Sequence, residues 1–174
     1  MVPIPNAHIA EVISTPASDM DESTADPRTE LDSRANMIIL GKNSFMFEST
    51  GKTCNVQLFC SDLGMATNVP IIDGALTYDC PYTGQVYILL VQNALHIPSM
   101  KHNLVPPFIM RAGGVKVNDV FKIHCESPDI EDHSKSFRET ELLIPLQLDR
   151  IFSYFHRRIP ATKELHECEK SLFP

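Results

Sequence analysis

The chain has 174 residues, 43% hydrophobic and 21% charged, enough apolar material for one buried core, which excludes a wholly disordered polypeptide. Its net charge of −7 argues against nucleic acid as a partner, because His156-Arg157-Arg158 is the densest basic cluster and brings only two strong charges. The longest apolar run, Val86 to Val91, falls far short of the ~20 residues of a membrane span, and no basic start leads into an apolar stretch. The expectation is a cytoplasmic, intracellular polypeptide without a membrane partner.

Thirteen Pro and seven Gly interrupt helical periodicity, so short strands joined by turns are predicted. Residues 1–28 are rich in Pro, Ser, Thr, Asp and Glu and read as a disordered leader, with order beginning near Thr29. Met37-Ile38-Ile39-Leu40, closed by Gly41, is a candidate buried strand. Asn55-Val56-Gln57-Leu58-Phe59 alternates like a half-exposed strand. Val69 to Ile72 reads as another, ended by the turn dipeptide Asp73-Gly74. Ala75 to Tyr78 and Gln85 to Val91 form a hairpin around Cys80-Pro81-Tyr82-Thr83-Gly84, and Ala94 to Ile97 continues in β fashion until Pro98.

One short helix is expected at about 104–112, capped by Asn103, with Pro106 and Pro107 in its first turn and Gly113-Gly114 as its stop. Val115 to Val117 and Val120 to His124, around Asn118-Asp119, suggest a hairpin. Residues 126–141 read as a polar loop. Leu142 to Ile159 is apolar, and its spacing fits both a helix through Leu148, Ile151 or Phe152, Phe155 and Ile159 and, over Leu142 to Leu148, a strand around Pro145. Residues 161–174 read as a polar, fraying tail.

The five cysteines are scattered, odd in number and without a Cys-x-x-Cys, which favours reduced thiols over a disulfide framework. His96, His102, His124 and His166 lack the spacing of a four-ligand zinc site, so no metal or other cofactor is expected. His124 and Cys125 are adjacent and, on a strand, point to opposite faces, which excludes a nucleophile–base pair. Asp129, Glu131 and Asp132 read as a solvated acidic loop.

The chemistry-bearing segment is Glu30-Leu31-Asp32-Ser33-Arg34-Ala35-Asn36, followed by the apolar run 37–40. An Asp-Ser pair between strands is by itself a common loop, with Asp32 as a turn carboxylate and Ser33 in an Asx-type turn. A second stretch, Asn93-Ala94-Leu95-His96-Ile97-Pro98-Ser99-Met100-Lys101-His102-Asn103-Leu104, is longer and more specific. Together they resemble the retropepsin-like aspartic protease region of copia-type retrotransposon polyproteins, where Asp-Ser-Gly-Ala stands at the first stretch. The likeness runs on through Pro106-Pro107-Phe108-Ile109-Met110-Arg111 and, more loosely, through Ile151 to His156.

The resemblance implies an all-β fold, a small closed acid-protease-type barrel with one short helix, occupying residues 29–125 ahead of a C-terminal segment over 126–160. It implies an aspartic endopeptidase acting on a peptide or polyprotein, possessing half a site per chain and therefore a homodimer, as found within virus-like particles. Asp32 is then the catalytic carboxylate, and Ser33 bonds across the dimer axis. Two facing carboxylates share a proton, because like charges in contact do not both ionise; the pair then activates water. Asp73-Gly74 through Gly84 falls where a flap hairpin closes over a peptide bound as an added strand.

Arg34 replaces the family's Gly, at a position expected to need glycine-only torsions and to crowd the dimer centre. It also brings a cation able to pair with Asp32 and spoil the shared proton. Little or no cleavage is expected of this chain, and a catalytically inactive β-barrel or dimerisation module is the alternative.

Overall fold

The computed structural model describes residues 27–57, 64–137 and 140–173. The expected leader, apart from its last two positions, and the end of the expected strand at Leu58-Phe59 lie outside the described residues. What is described is all-β with very little helix.

The first strands are β1 (Arg28–Leu31), β2 (Ile39–Leu40), β3 (Phe45–Gln57), β4 (Met65–Asp79), β5 (Val86–His96) and β6 (Asn103–Val105). A short helix α1 (Pro107–Ala112) and strand β7 (Lys116–Asn118) follow. Then come β8 (Ser134–Phe137), β9 (Leu142–Pro145), β10 (Gln147–Asp149), β11 (Phe152–His156), helix α2 (Glu164–Glu167) and β12 (Glu169–Phe173).

The main sheet runs β10-β11-β1-β6-β2-β5-β4-β3, with β12 added alongside β5. Among the described residues this path is open, with β10 and β3 at its ends, rather than the closed ring expected. Strands β7, β8 and β9 form a second, antiparallel sheet. The two share one core, in which Leu40, Ile72, Leu76, Leu89 and Val105 of the main sheet cluster with Phe137, Leu142 and Ile144 of the smaller one. Removing these apolar side chains from water is the main term holding the layers together.

Several local expectations are corrected. Asp73-Gly74 ends nothing: β4 runs straight through it, with a shift of register between Ile72 and Gly74 opposite β5. The dipeptide instead marks a bulge in a long strand. Asp73 Oδ1 accepts the Asn93 N–H at 2.8 Å, and Asn93 itself sits at φ 53°. Gly74 is glycine for lack of room, since a Cβ there would meet Leu40 Cδ1 at 2.6 Å and the Phe45 carbonyl oxygen at 2.8 Å. The β4–β5 hairpin falls where expected, around residues 80–84, with its turn closed by the Gly84 N–H on the Cys80 carbonyl and the Cys80 N–H on that of Gln85. The long hairpin is β3–β4. Most of β3 is exposed on both faces, so this hairpin projects from the body.

The helix begins later than expected, because Asn103, Leu104 and Val105 pair with β1 instead of entering the first turn. Pro106 is its N-cap, and Gly113-Gly114 ends it as expected, with Gly114 in the left-handed region at φ 87°. Residues 122–124 form a 3₁₀ turn, so β7 finds its partner in β8 and not in the residues just after Asn118-Asp119. The supposed loop 126–141 contains β8, which pairs with both β7 and β9. Leu142 to His156 resolves as three strands. The tail does not fray: β12 lies parallel to β5, from Glu169 opposite Tyr87 to Phe173 opposite Val91. Sequence pattern missed these because β8 buries polar residues, Ser134 and Lys135, in place of an apolar alternation, and because β12 pairs with a strand remote in the chain.

Lys135 is the largest fully buried side chain, on a strand that sequence pattern had placed in a solvated loop. Its Nζ sits 3.3 Å from the centre of the Phe155 ring and 5.6 Å from that of Phe137. Burial holds the amine well below its ordinary range. The unfolded chain therefore takes up the proton more readily than the native one, and stability rises with pH between the folded value and the ordinary lysine value. Urea midpoints at pH 7.5 and 9.5 should differ by more in the parent than in Lys135→Met, which removes this proton from the balance. Equal differences in the two proteins would show that Lys135 does not titrate differently on folding.

Candidate active site

The site is built where three strands meet. β1 lies parallel to β6, with Leu31 opposite Val105, and β2 is antiparallel to β6 on its other side, with Ile39 opposite Leu104. The loop from Asp32 to Ile38 therefore passes over the C-terminal end of β6, beside the start of α1. Its base is fastened twice. The Asp32 N–H donates to the Val105 carbonyl at 3.1 Å, and Asp32 Oδ1 accepts the Arg34 N–H at 2.8 Å. Asp32 is half-buried, while Ser33 and Arg34 are exposed.

The hydrogen bond from the Arg34 N–H makes the Asx-type turn that residue types alone suggest, and it fixes the carboxylate's rotamer. The residue at position 34 donates that bond through its backbone, so Arg serves as well as Gly. The expectation of glycine-only torsions at Arg34 is corrected: among the described residues it is not one of the non-glycine positions with positive φ. The loop holds a long side chain without backbone strain within one chain.

The second stretch frames this loop. The Leu95 N–H donates to the Ile38 carbonyl at 2.9 Å, the Ile97 N–H to Leu40 at 3.0 Å, and the Lys42 N–H to Met100 at 2.9 Å. Gly41 lies so close beneath residues 100–102 that a Cβ would meet the Met100 and His102 carbonyl oxygens at 2.5 and 2.9 Å.

At the centre is Asn103, fully buried. Its Oδ1 accepts from the Gly41 N–H at 2.8 Å, Ser44 Oγ at 3.0 Å and Arg157 NH2 at 3.1 Å, and its Nδ2 reaches Thr29 Oγ1 at 3.4 Å. One side chain thus ties β1, β6, the link from β2 to β3 and the segment after β11 together. Sequence reading placed Asn103 as a helix cap. Leu104 and Val105 after it, with no turn until Pro106, were the available signal for a strand in place of a first helical turn.

Arg157 completes this hub and was read only as part of a basic surface cluster. It is 5% exposed, and its NH1 donates to the Asn43 carbonyl. Burial pushes its pKa down to about 10. Arg158, next to it, is engaged by Asp79 at 2.7 Å and Glu164 at 2.6 Å, which hold its guanidinium above its ordinary value. In return Arg158 lowers the Glu164 carboxyl to about 2. The triplet that came nearest to a nucleic-acid patch therefore offers no row of free cations.

The remaining candidates are scattered. Cys54, Cys80, Cys125 and Cys168 are free thiols, and among the described residues no three His, Cys, Asp or Glu groups converge as a metal site. His133, unremarked in the sequence, is buried with Nε2 2.9 Å from Ser153 Oγ, and burial lowers its pKa. The acidic loop closes on itself, Asp129 Oδ1 accepting the N–H groups of Glu131 and Asp132. No helix is long and apolar enough to cross a membrane among the described residues.

Fold and loop together define an all-β protein that presents one half-buried aspartate, with an exposed serine beside it, on an arch over a parallel strand pair. Comparison with family models, with curated proteins and with solved structures finds no match to this chain.

Proposed function

We propose that the chain is an aspartic endopeptidase domain of the retrotransposon polyprotein type, contributing one carboxylate per subunit and held at low activity by Arg34. The observation that carries this reading is the double fastening of Asp32, by its N–H on Val105 and its Oδ1 on the Arg34 N–H, at the base of an exposed arch. A carboxylate that is oriented yet half-open has what a general base needs: a fixed direction and room for water.

One such group is half a site. A second copy facing it supplies the other carboxylate, and the two share a proton through mutual repulsion. The general base form takes a proton from water as it attacks the peptide carbonyl, and the protonated partner donates to the carbonyl oxygen. Ser33, exposed beside Asp32, is placed to bond across that interface. The projecting β3–β4 hairpin, and not residues 73–84, has the reach of a flap, and the free edge of β3 suits a substrate bound as an added strand.

Arg34 favours the second reading, an inactive module of the same origin. Two copies meeting at this arch bring two exposed guanidinium groups together, which costs association. The experiment is Arg34→Gly, assayed on a peptide library at pH 4–7 with sedimentation velocity run in parallel. We expect the parent to be a monomer with no measurable cleavage. Arg34→Gly should dimerise and cleave in a pepstatin-sensitive manner, and Asp32→Asn on that background should abolish turnover. A dimeric Arg34→Gly protein without activity would reject the protease reading and leave the module.

A further inference from the structure

His133 stands at the joint between the two sheets. Its carbonyl accepts the Leu146 N–H at 2.8 Å, and its ring reaches from the start of β8 to place Nε2 2.9 Å from Ser153 Oγ on β11. Both side chains are buried, and His133 holds a left-handed φ of 52°. Over the ring lies Phe121, edge-on, with the ring centroids 5.2 Å apart. Phe121 belongs to residues 119–125, the first part of the connection from β7 to β8. Of these, 120 and 122–124 are exposed and none is buried. The cover over His133 is therefore one half-buried ring on a loop with no other hold in the core. Segments of this kind open locally at far lower cost than the whole domain.

The surroundings of the ring decide its charge. From β11 it meets a hydroxyl. From the loop, Lys122 opposes a proton on the ring and Asp119 favours one, although Asp119 is already engaged by Arg111 at 2.7 Å. Asp132, next in the chain, accepts from Asn118 Nδ2 and the Asp129 N–H. Lys135, two residues on, is buried over Phe155. Burial is the largest influence and holds the imidazole below its ordinary value. Charging the ring in place costs a desolvation that one hydroxyl does not offset. With Phe121 swung away, water reaches the ring and the open form binds the proton more readily. Falling pH therefore draws the loop toward its open form, below the ordinary histidine value. We propose that Phe121 and residues 119–125 form an acid-opened cap over the His133–Ser153 pair, closed while the imidazole is neutral and released when it takes up a proton. Opening bares Phe121 and Ser153 beside Leu148, the exposed residue of β10 that pairs with Ser153, so acid enlarges an apolar surface. The inference is independent of the protease reading.

Peptide-resolved hydrogen exchange on the full chain tests it, with each rate divided by the intrinsic rate at that pH. Protection of residues 119–125 should fall severalfold from pH 7.5 to pH 5.0, while that of residues 86–96 in β5 holds. His133→Asn does not titrate and is a residue type that tolerates the left-handed torsion, so it should flatten the pH dependence, as should His133→Gln. His124→Gln and Lys135→Met remove neighbouring titratable groups and should leave the fall in place. Phe121→Ala removes the cover and should bring exchange of 119–125 at pH 7.5 up to the parent's level at pH 5.0. A parent without pH dependence, or a fall that survives both His133 variants, would overturn the proposal. So would a fall abolished by His124→Gln or Lys135→Met, a parallel fall in residues 86–96, or a Phe121→Ala chain as protected as the parent.

Discussion

Asn103→Ala is expected to destabilise the domain by about 3–5 kcal/mol, read as a fall in the urea midpoint at unchanged slope. The side chain is fully buried and its Oδ1 takes three donors, one of them the Arg157 guanidinium. Alanine leaves the Gly41 N–H and the Ser44 hydroxyl without that acceptor and deprives a buried cation of one of its partners. Each neutral loss costs roughly 1 kcal/mol, and a bond to a charged group roughly 1.5–3. Asn103→Asp is the discriminating variant. It keeps an oxygen where Oδ1 sits and gives Arg157 a counter-charge, forfeiting the long bond to Thr29, so it should lose clearly less than alanine. Losses of equal size would mean that the site depends on Nδ2 or on packing, and not on the shared acceptor.

Gly41→Ala should be nearly as damaging, at about 3 kcal/mol, for a steric reason. The nearest atoms to an added Cβ are the carbonyl oxygens of Met100 and His102, at 2.5 and 2.9 Å. These belong to the backbone, which cannot swing aside like a side-chain tip. The Lys42 N–H bond to Met100 lies in the same contact and would be stretched as the segments part. The same substitution at Gly51, where nothing lies within 4 Å, meets no neighbour and tests only backbone torsion at φ 72°. Thermal melts of the two variants should therefore separate crowding from conformational strain. A smaller drop for Gly41→Ala than for Gly51→Ala would contradict the close approach.

Asn103 and the carbonyls of Met100 and His102 that crowd Gly41 show why the second stretch carries more information than the Asp-Ser pair. Asp32-Ser33 needs only a loop and two hydrogen bonds, conditions that many sequences meet. Residues 93–104 must place Asn93 at positive φ, pass carbonyls to 42 and amides to 38 and 40, and bury an amide at 103. Arg34 illustrates the opposite limit. Its residue type suggested a strained backbone, yet the loop's torsion is ordinary within one chain. Whatever Arg34 costs therefore falls on what approaches the arch.

The amino-acid sequence by itself determined that this chain is mostly β with very little helix. That conclusion rests on local physics, prolines that forbid long helices and glycines that end them, whereas Asp32 and Ser33 stand out only through the resemblance of residues 30–36 and 93–104 to retropepsin-like proteases. Tertiary structure alone decided the rest. It made Asp73-Gly74 a bulge within a strand and not a turn, gave the tail residues 169–173 a place beside β5, and buried Arg157 and Lys135. It also turned a presumed helix cap into the hub behind Asp32. Each of these depends on a partner up to more than a hundred residues away, and composition or periodicity within a short window carries no record of that partner.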